Sequence, residues 1–290
     1  MKRNGFLQVL AAAAAAALLL SGCSSSMTVG KVAGKFGETL RQQPVTSATA
    51  ELTADVRLGE EGTASRFRTV FHTKVDWEQL RGYSQAESSL QLPDQNLHKT
   101  FQCYSSSEKG MDLHYIHLDD PELWLRADGQ KSLTAMDHSL ILKLLESASD
   151  TAAAELIENE SGGSDHYLLK LTLQGKDVEN FIISSGIHLP IPFRSASLSD
   201  IQVPVEVEIE DKTYLPLRVQ LKIQGIDQSL SQALVGELQM VPALQDLKME
   251  IGEITLLISN FSYENQEIPK LPMGAAENAL DLNKLRQLTK

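Results

Sequence analysis

The sequence predicts an α+β domain built on one large, curved antiparallel sheet, a half-barrel with helices on its concave face. Three observations predict it. From residue 48 to about 128, and again in segments from 166 to 265, apolar residues recur with period two, the spacing of strands with one wet face. The joins between successive runs are mostly short and contain Gly, Pro, Asp and Asn, and short joins favour antiparallel pairing because parallel pairing needs long crossovers. A few segments, near 29–40, 137–149 and 177–185, switch to helical spacing and supply the helices.

The N-terminal end sets the address. Lys2 and Arg3 precede an apolar run over 6–20 that only Gln8 interrupts, and no acid occurs before Cys23. That is a charged region followed by an apolar region, the layout of an export signal. The run is short of the about 20 apolar residues a spanning helix needs. It ends Leu20-Ser21-Gly22-Cys23, which resembles the bacterial lipobox. Small residues at 21 and 22 suit an extended backbone in a peptidase cleft, and only a thiol can form the thioether. The resemblance implies that 1–22 is a lipoprotein signal peptide and that Cys23 becomes the acylated N-terminus. Two acyl chains, at about 0.8 kcal/mol per buried CH₂, would hold the domain at the outer face of a cell membrane.

Residues 23–45 read as a lipidated tether and a short helix. Val29, Val32, Phe36 and Leu40 share one helical face, glycines at 30, 34 and 37 weaken it, and Pro44 ends it. The main domain, 46–272, comes next. In 67–77, Phe67, Phe71, Val75 and Trp77 share one side and Arg68, His72, Lys74 and Asp76 the other. Similar runs cover 51–58, 81–92, 98–105, 111–118 and 122–127, and together they predict a meander. At 137–149, Leu140, Ile141, Leu144 and Leu145 return to helical spacing behind Asp137 and Ser139 as N-caps. Segments 152–160 and 166–174 predict strands, and 177–185 predicts a helix with Val178, Phe181 and Ile182 on one face. The clearest hairpin joins Val203, Val205, Val207 and Ile209 to Leu215, Leu217, Val219, Leu221 and Ile223. Its apolar residues share one face, while acids of the first strand meet bases of the second, each pair contributing about 0.2–1 kcal/mol. Segment 226–248 predicts a helix or loop, and 249–265 a long strand stopped by Pro269. Residues 273–290 predict a helical tail, and 189–200 a loop or lid.

Composition narrows function. The formal charge is −12, and loss of Lys2 and Arg3 with the leader makes the mature chain two units more acidic. Such a domain is repelled by phosphate polymers, which argues against nucleic acid as a partner. With Cys23 consumed by lipid, Cys103 has no intramolecular disulfide partner and reads as a buried small apolar residue in a strand.

The layout of 30–272 resembles the LolA/LppX-like class of bacterial lipid- and lipoprotein-carrier proteins, in its Gram-positive form. Three local features carry the resemblance: Glu122-Leu123-Trp124 after a hairpin; the pair Val205-Glu206-Val207-Glu208-Ile209 and Leu215-Pro216-Leu217-Arg218-Val219; and Phe261-Ser262-Tyr263 before Ile268-Pro269. Segments 189–200 and 226–248 are longer than the compact pattern. The resemblance implies a half-barrel whose hollow shields an acyl chain or another greasy group, and no shared catalytic residues.

Direct search for chemistry supports a non-enzyme. There is no Gly-rich phosphate loop and no Gly-x-Ser-x-Gly elbow. Of the seven histidines, His114 and His117 are close, but three residues apart on a strand they point to opposite faces and do not chelate one ion. The expectation is therefore an anchored extracytoplasmic lipoprotein that binds a hydrophobic, lipid-like ligand, with no cofactor, no metal and no catalytic residue. The predicted hollow lining is Phe67, Phe71, Trp77, Leu144, Phe181, Leu217 and Phe261. The alternative is a non-catalytic structural or regulatory envelope protein, a sensor or interaction subunit with a protein partner, on the same scaffold.

Overall fold

The computed structural model describes residues 27–59, 62–92, 96–108, 111–119, 122–128, 138–146, 155–157, 165–178, 201–226, 228, 231–232, 235, 248–264 and 266–281. Cys23 and Phe181 lie outside these residues, as do 179–200 and most of 226–248.

The period-two runs assemble into one open sheet of twelve strands. The first six are β1 (Val45–Leu58), β2 (Thr63–Asp76), β3 (Arg81–Gln91), β4 (Asn96–Glu108), β5 (Met111–Asp119) and β6 (Glu122–Asp128). Each pairs antiparallel with the next. The second set is β7 (Glu155–Ile157), β8 (His166–Gln174), β9 (Gln202–Glu210), β10 (Pro216–Ile223) and β11 (Met249–Ser262). It enters at the opposite edge and works back until β11 pairs with β1. The first strand is therefore central, flanked by a meander on each side. At this width a twisted sheet curls, because strand twist accumulates over about ten strands.

That topology explains the helices. The chain must travel from the edge at β6 to the far edge at β7. Within that connection α2 (His138–Glu146) lies against the sheet, its Ile141, Leu144 and Leu145 buried in the same core as the strands. α1 (Val29–Leu40) packs beside it. Thr28 caps α1 by accepting from the Lys31 amide at 3.4 Å, and Val29, Val32, Ala33 and Phe36 form its buried face. Gly37 has a packing reason for breaking helix propensity. A Cβ there would stand 3.1 Å from Leu142 Cδ2 of α2, so glycine lets the two helices approach. Where α1 meets the β9–β10 turn, Lys35 donates to Tyr214 Oη at 2.7 Å and lies 4.3 Å from the Tyr214 ring, which stacks on Tyr167. These contacts hold Tyr214 at φ 57, a left-handed conformation that a bulky residue seldom adopts.

Three expectations are corrected. In the β9–β10 hairpin, Pro216 pairs with Ile209 and Arg218 with Glu208, leaving Leu217 as an extra, bulged residue that is 40% exposed instead of facing the core with Val219. The predicted cross-strand ion pair does form, Arg218 to Glu208 at 2.9 Å. In β11, Asn260 and Phe261 together oppose Ala48, with Asn260 at φ 53. Simple alternation along 249–265 would set Phe261 on the face of Leu257, and the slip instead packs it against the core. Among its described residues the tail is helical only as α3 (Ala275–Asn278), after which Ala279 is extended and β12 (Leu280–Asp281) pairs in parallel with β6. An unpaired edge strand satisfied by two residues outweighs the helical pattern there. No helix among the described residues is long and apolar enough to cross a membrane.

Candidate functional site

Strand alternation sends Ala50, Phe71, Ala86, Phe101, Leu118 and Leu123 to one face in a single row across β1–β6. This is the face on which the helices lie, and its two ends differ. On β8–β11 the inward positions are large aliphatics such as Leu169, Val207, Leu221 and Ile258, and β1 mixes Ala48, Ala50 and Ala54 with Leu52, Val56 and Leu58, all buried in one cluster with α1 and α2. On β3 they are small from Gly82 through Ser84 and Ala86 to Ser88, before the buried Leu90. Beyond β3, Leu97, Phe101, Ile116, Leu118, Leu123 and Leu125 face inward but are only half-buried. The inner face of β4–β6 is thus an apolar surface covered on one side and open on the other.

Polar groups within this half are satisfied locally. Thr69 and Ser88 hydroxyls meet at 2.9 Å, Thr73 donates to the Ala48 carbonyl at 3.2 Å, and Ser105 Oγ lies 2.8 Å from His114 Nδ1. Cys103 Sγ is 3.6 Å from Ser105 Oγ. Burial pushes the Cys103 thiol up to about 11, so it stays protonated and is no nucleophile at neutral pH. This surface is therefore mostly hydrocarbon, with Lys99 of β4 as an exposed cation between Leu97 and Phe101.

The predicted lining residues separate into groups. Phe67 and Phe71 do face inward, and the Phe71 ring meets Phe101 edge-on with centroids 6.1 Å apart. Leu144 is buried on α2 beneath the sealed half. Trp77 sits half-buried in the turn after β2, its indole N–H donating to Thr46 Oγ1 at 3.2 Å. Phe261 packs on the core, and Leu217 points to solvent. Phe101, Leu118 and Leu123 were missed. Their signal was present in the pairing register, since each stands in the Phe71 row, but register is not readable from one strand at a time.

A cleft of about 890 Å³ opens elsewhere, between the far end of the β1–β2 hairpin and the start of β11. Asp55, Arg57, Arg66, Glu250 and Glu253 line it, and Arg66 and Asp55 pair at 3.1 Å. Its charged lining does not match the predicted greasy hollow. His114 and His117 fall on opposite faces, the first buried against Ser105, the second stacked on Trp124 with centroids 4.5 Å apart. Among the described residues no group of three or more His, Cys, Asp or Glu is placed to hold a metal ion.

No protein-family model and no curated protein matches the chain. Solved structures similar to it include two of unknown function. One is a DUF1329 family protein from Desulfovibrio piger, 14% identical, with 83% of this chain and 93% of that one covered and a TM-score of 0.27. The other is a beta-barrel-like protein of domain of unknown function DUF1849 from Brucella abortus, 12% identical, with 76% and 98% covered and a TM-score of 0.21. Likeness at that level carries no functional argument.

Proposed function

We propose that this chain is a lipid-anchored extracytoplasmic protein that binds or carries a hydrophobic, lipid-like ligand at the cell envelope, on a half-barrel of the LolA/LppX-like type. The observation that carries the reading is the half-covered apolar surface of β4–β6, where Leu97, Phe101, Ile116, Leu118, Leu123 and Leu125 stand beside a sealed core. A folded chain does not usually leave a contiguous aliphatic face partly wet without a use for it. At about 25 cal/mol per Å² of apolar area, an acyl chain laid along it gains several kcal/mol. Phe71, in edge-on contact with Phe101, closes this surface on the side of the sealed core. The anchor supports the same reading from the sequence side, through the leader and Cys23.

The test uses the chain beginning at residue 24, which carries no acyl group. It takes up a fluorescent fatty acid with saturable stoichiometry, and Leu123→Asp abolishes uptake while the fold persists. A chain that takes up no fatty acid contradicts the reading. A purely structural or regulatory envelope protein, for which the sealed half of the sheet would suffice, behaves in that way. The anchor is tested separately: Cys23→Ala is expected in the soluble fraction of the producing cell, and membrane retention of this variant contradicts acylation at that residue.

A further inference from the structure

The opposite, outer face of β3–β6 carries a surface that ligand uptake on the inner face leaves unexplained. Register sets Lys74, Tyr83, Tyr104, Tyr115 and Arg126 in one row across β2–β6, and Gln85, Gln102, His117 and Trp124 in the next. The rings touch one another. Tyr83 and Tyr104 have centroids 5.1 Å apart, Tyr104 and Trp124 5.9 Å, and His117 stacks on Trp124 at 4.5 Å with 28° between planes. Every one of these rings is half-buried, so they lie down along the sheet as a floor of π faces. Between them Gln102 accepts from Tyr104 Oη at 3.0 Å, and Gln85 stands next to Gln102 in the same row.

The chemistry that matches such a floor is a flat ring with C–H faces and a hydroxyl rim. Sugar C–H faces stack on electron-rich aromatic rings, and amides and phenols, which both donate and accept, meet the hydroxyls. Burial raises the phenols of Tyr83 and Tyr104 above their ordinary range, which keeps them as neutral donors. Charge selects further. Lys74 and Arg126 end one row while Glu87, Asp119 and Glu122 stand in the row beyond the glutamines, so two cations face three acids and the patch is close to neutral although the chain carries −12. A nearly neutral patch complements an uncharged ligand, since charges farther off than about 8 Å are screened. A bilayer fits less well. Interfacial tryptophans and tyrosines have to reach out, whereas the exposed large hydrophobics among the described residues are Leu80, Leu217, Met273 and Leu280.

We propose that the outer face of β3–β6 is a stacking platform for an uncharged, extended saccharide chain, with Tyr83, Tyr104 and Trp124 as the stacking rings and Gln85 and Gln102 as hydroxyl partners. Three strand intervals span about 14 Å, room for a few sugar rings in a row.

The experiment titrates cellohexaose and chitohexaose into the full chain in detergent by calorimetry. At least one of them binds saturably at a single site. Trp124→Ala and Tyr104→Ala each weaken it about tenfold, roughly 1.4 kcal/mol, and Lys74→Glu leaves it within about twofold, as an uncharged ligand requires. Circular dichroism monitors the fold, and if Trp124→Ala does not fold, Gln85→Ala decides: reduced affinity supports the platform and unchanged affinity overturns it. Absence of binding by both hexasaccharides overturns the proposal. So does binding that a folded Trp124→Ala leaves intact, and so does retention on phosphatidylcholine vesicles that depends on Trp124 while neither glycan binds.

Discussion

The two halves of the sheet do different work with the same strand geometry. On β8–β11 nearly every inward position is Leu, Ile or Val, and two helices seal that half together with β1. On β2–β6 the inward positions mix small, hydroxyl and polar residues with large apolar ones, and the outermost strands keep Ile116, Leu118, Leu123 and Leu125 half-buried. The first half stores stability in close packing. The second gives up part of that burial and leaves a greasy surface available. The outer face repeats the contrast, with acids of β9 facing bases on the sealed side and a floor of aromatic rings on the open side.

The difference is broken most directly by truncating one leucine in each half. Leu52→Ala, in the sealed core, is expected to cost about 2–5 kcal/mol in urea unfolding because the surrounding packing cannot close the cavity. Leu123→Ala, half-exposed on β6, is expected to cost less than about 1 kcal/mol while lowering fatty-acid uptake. Equal costs would mean that the open half is as closed as the other.

Alkali gives the next effect. Cys103 titrates near 11 in the fold against an ordinary 9.0, so the folded state holds its proton more tightly. The resulting stability is whole below pH 9 and is lost as pH rises toward 11, by up to about 3 kcal/mol. Buried tyrosines add to the same slope, so the measurement is the difference between wild type and Cys103→Ala across that window. A difference that stays flat removes Cys103 from the buried inner face.

Smaller effects sharpen the outline. Glu51 pairs with Arg68 at 2.6 Å on the outer face, which holds its carboxyl below the usual range. Glu51→Gln is expected to cost at most about 1 kcal/mol, and less at high salt, since the pair is solvent-exposed. Leu217→Ala should be neutral within about 0.5 kcal/mol because the bulge already puts that side chain in water. A cost of core size at Leu217 would restore the face expected from simple alternation.

Short spacing is what made parts of this fold legible in the sequence. Period two located the strands of both meanders, and helical spacing located α1 and the stretch of α2. The opposite faces of His114 and His117 came from the same rule. The features that stayed hidden depend on partners far along the chain. β11 pairs with β1 across about two hundred residues, and no local pattern announces it. Bulges at 217 and at 260–261 each insert one residue and so reverse the facing of the residues beyond them. For the same reason the candidate lining included Leu217 and omitted Phe101, Leu118 and Leu123. Among its described residues the tail keeps its helical pattern only to Asn278, because an open edge of the sheet competes for the backbone at 280–281.

The central claim is that a greasy ligand lies on the inner face of the open half. A photoreactive fatty acid, irradiated on the unacylated chain before peptide mass mapping, tests it directly. The account predicts adducts on β4, β5 and β6, at Leu97, Phe101, Ile116, Leu118, Leu123 or Leu125, that excess unlabelled fatty acid competes away. Adducts confined to the charged cleft beside Asp55 and Glu250, or scattered without competition, would contradict it.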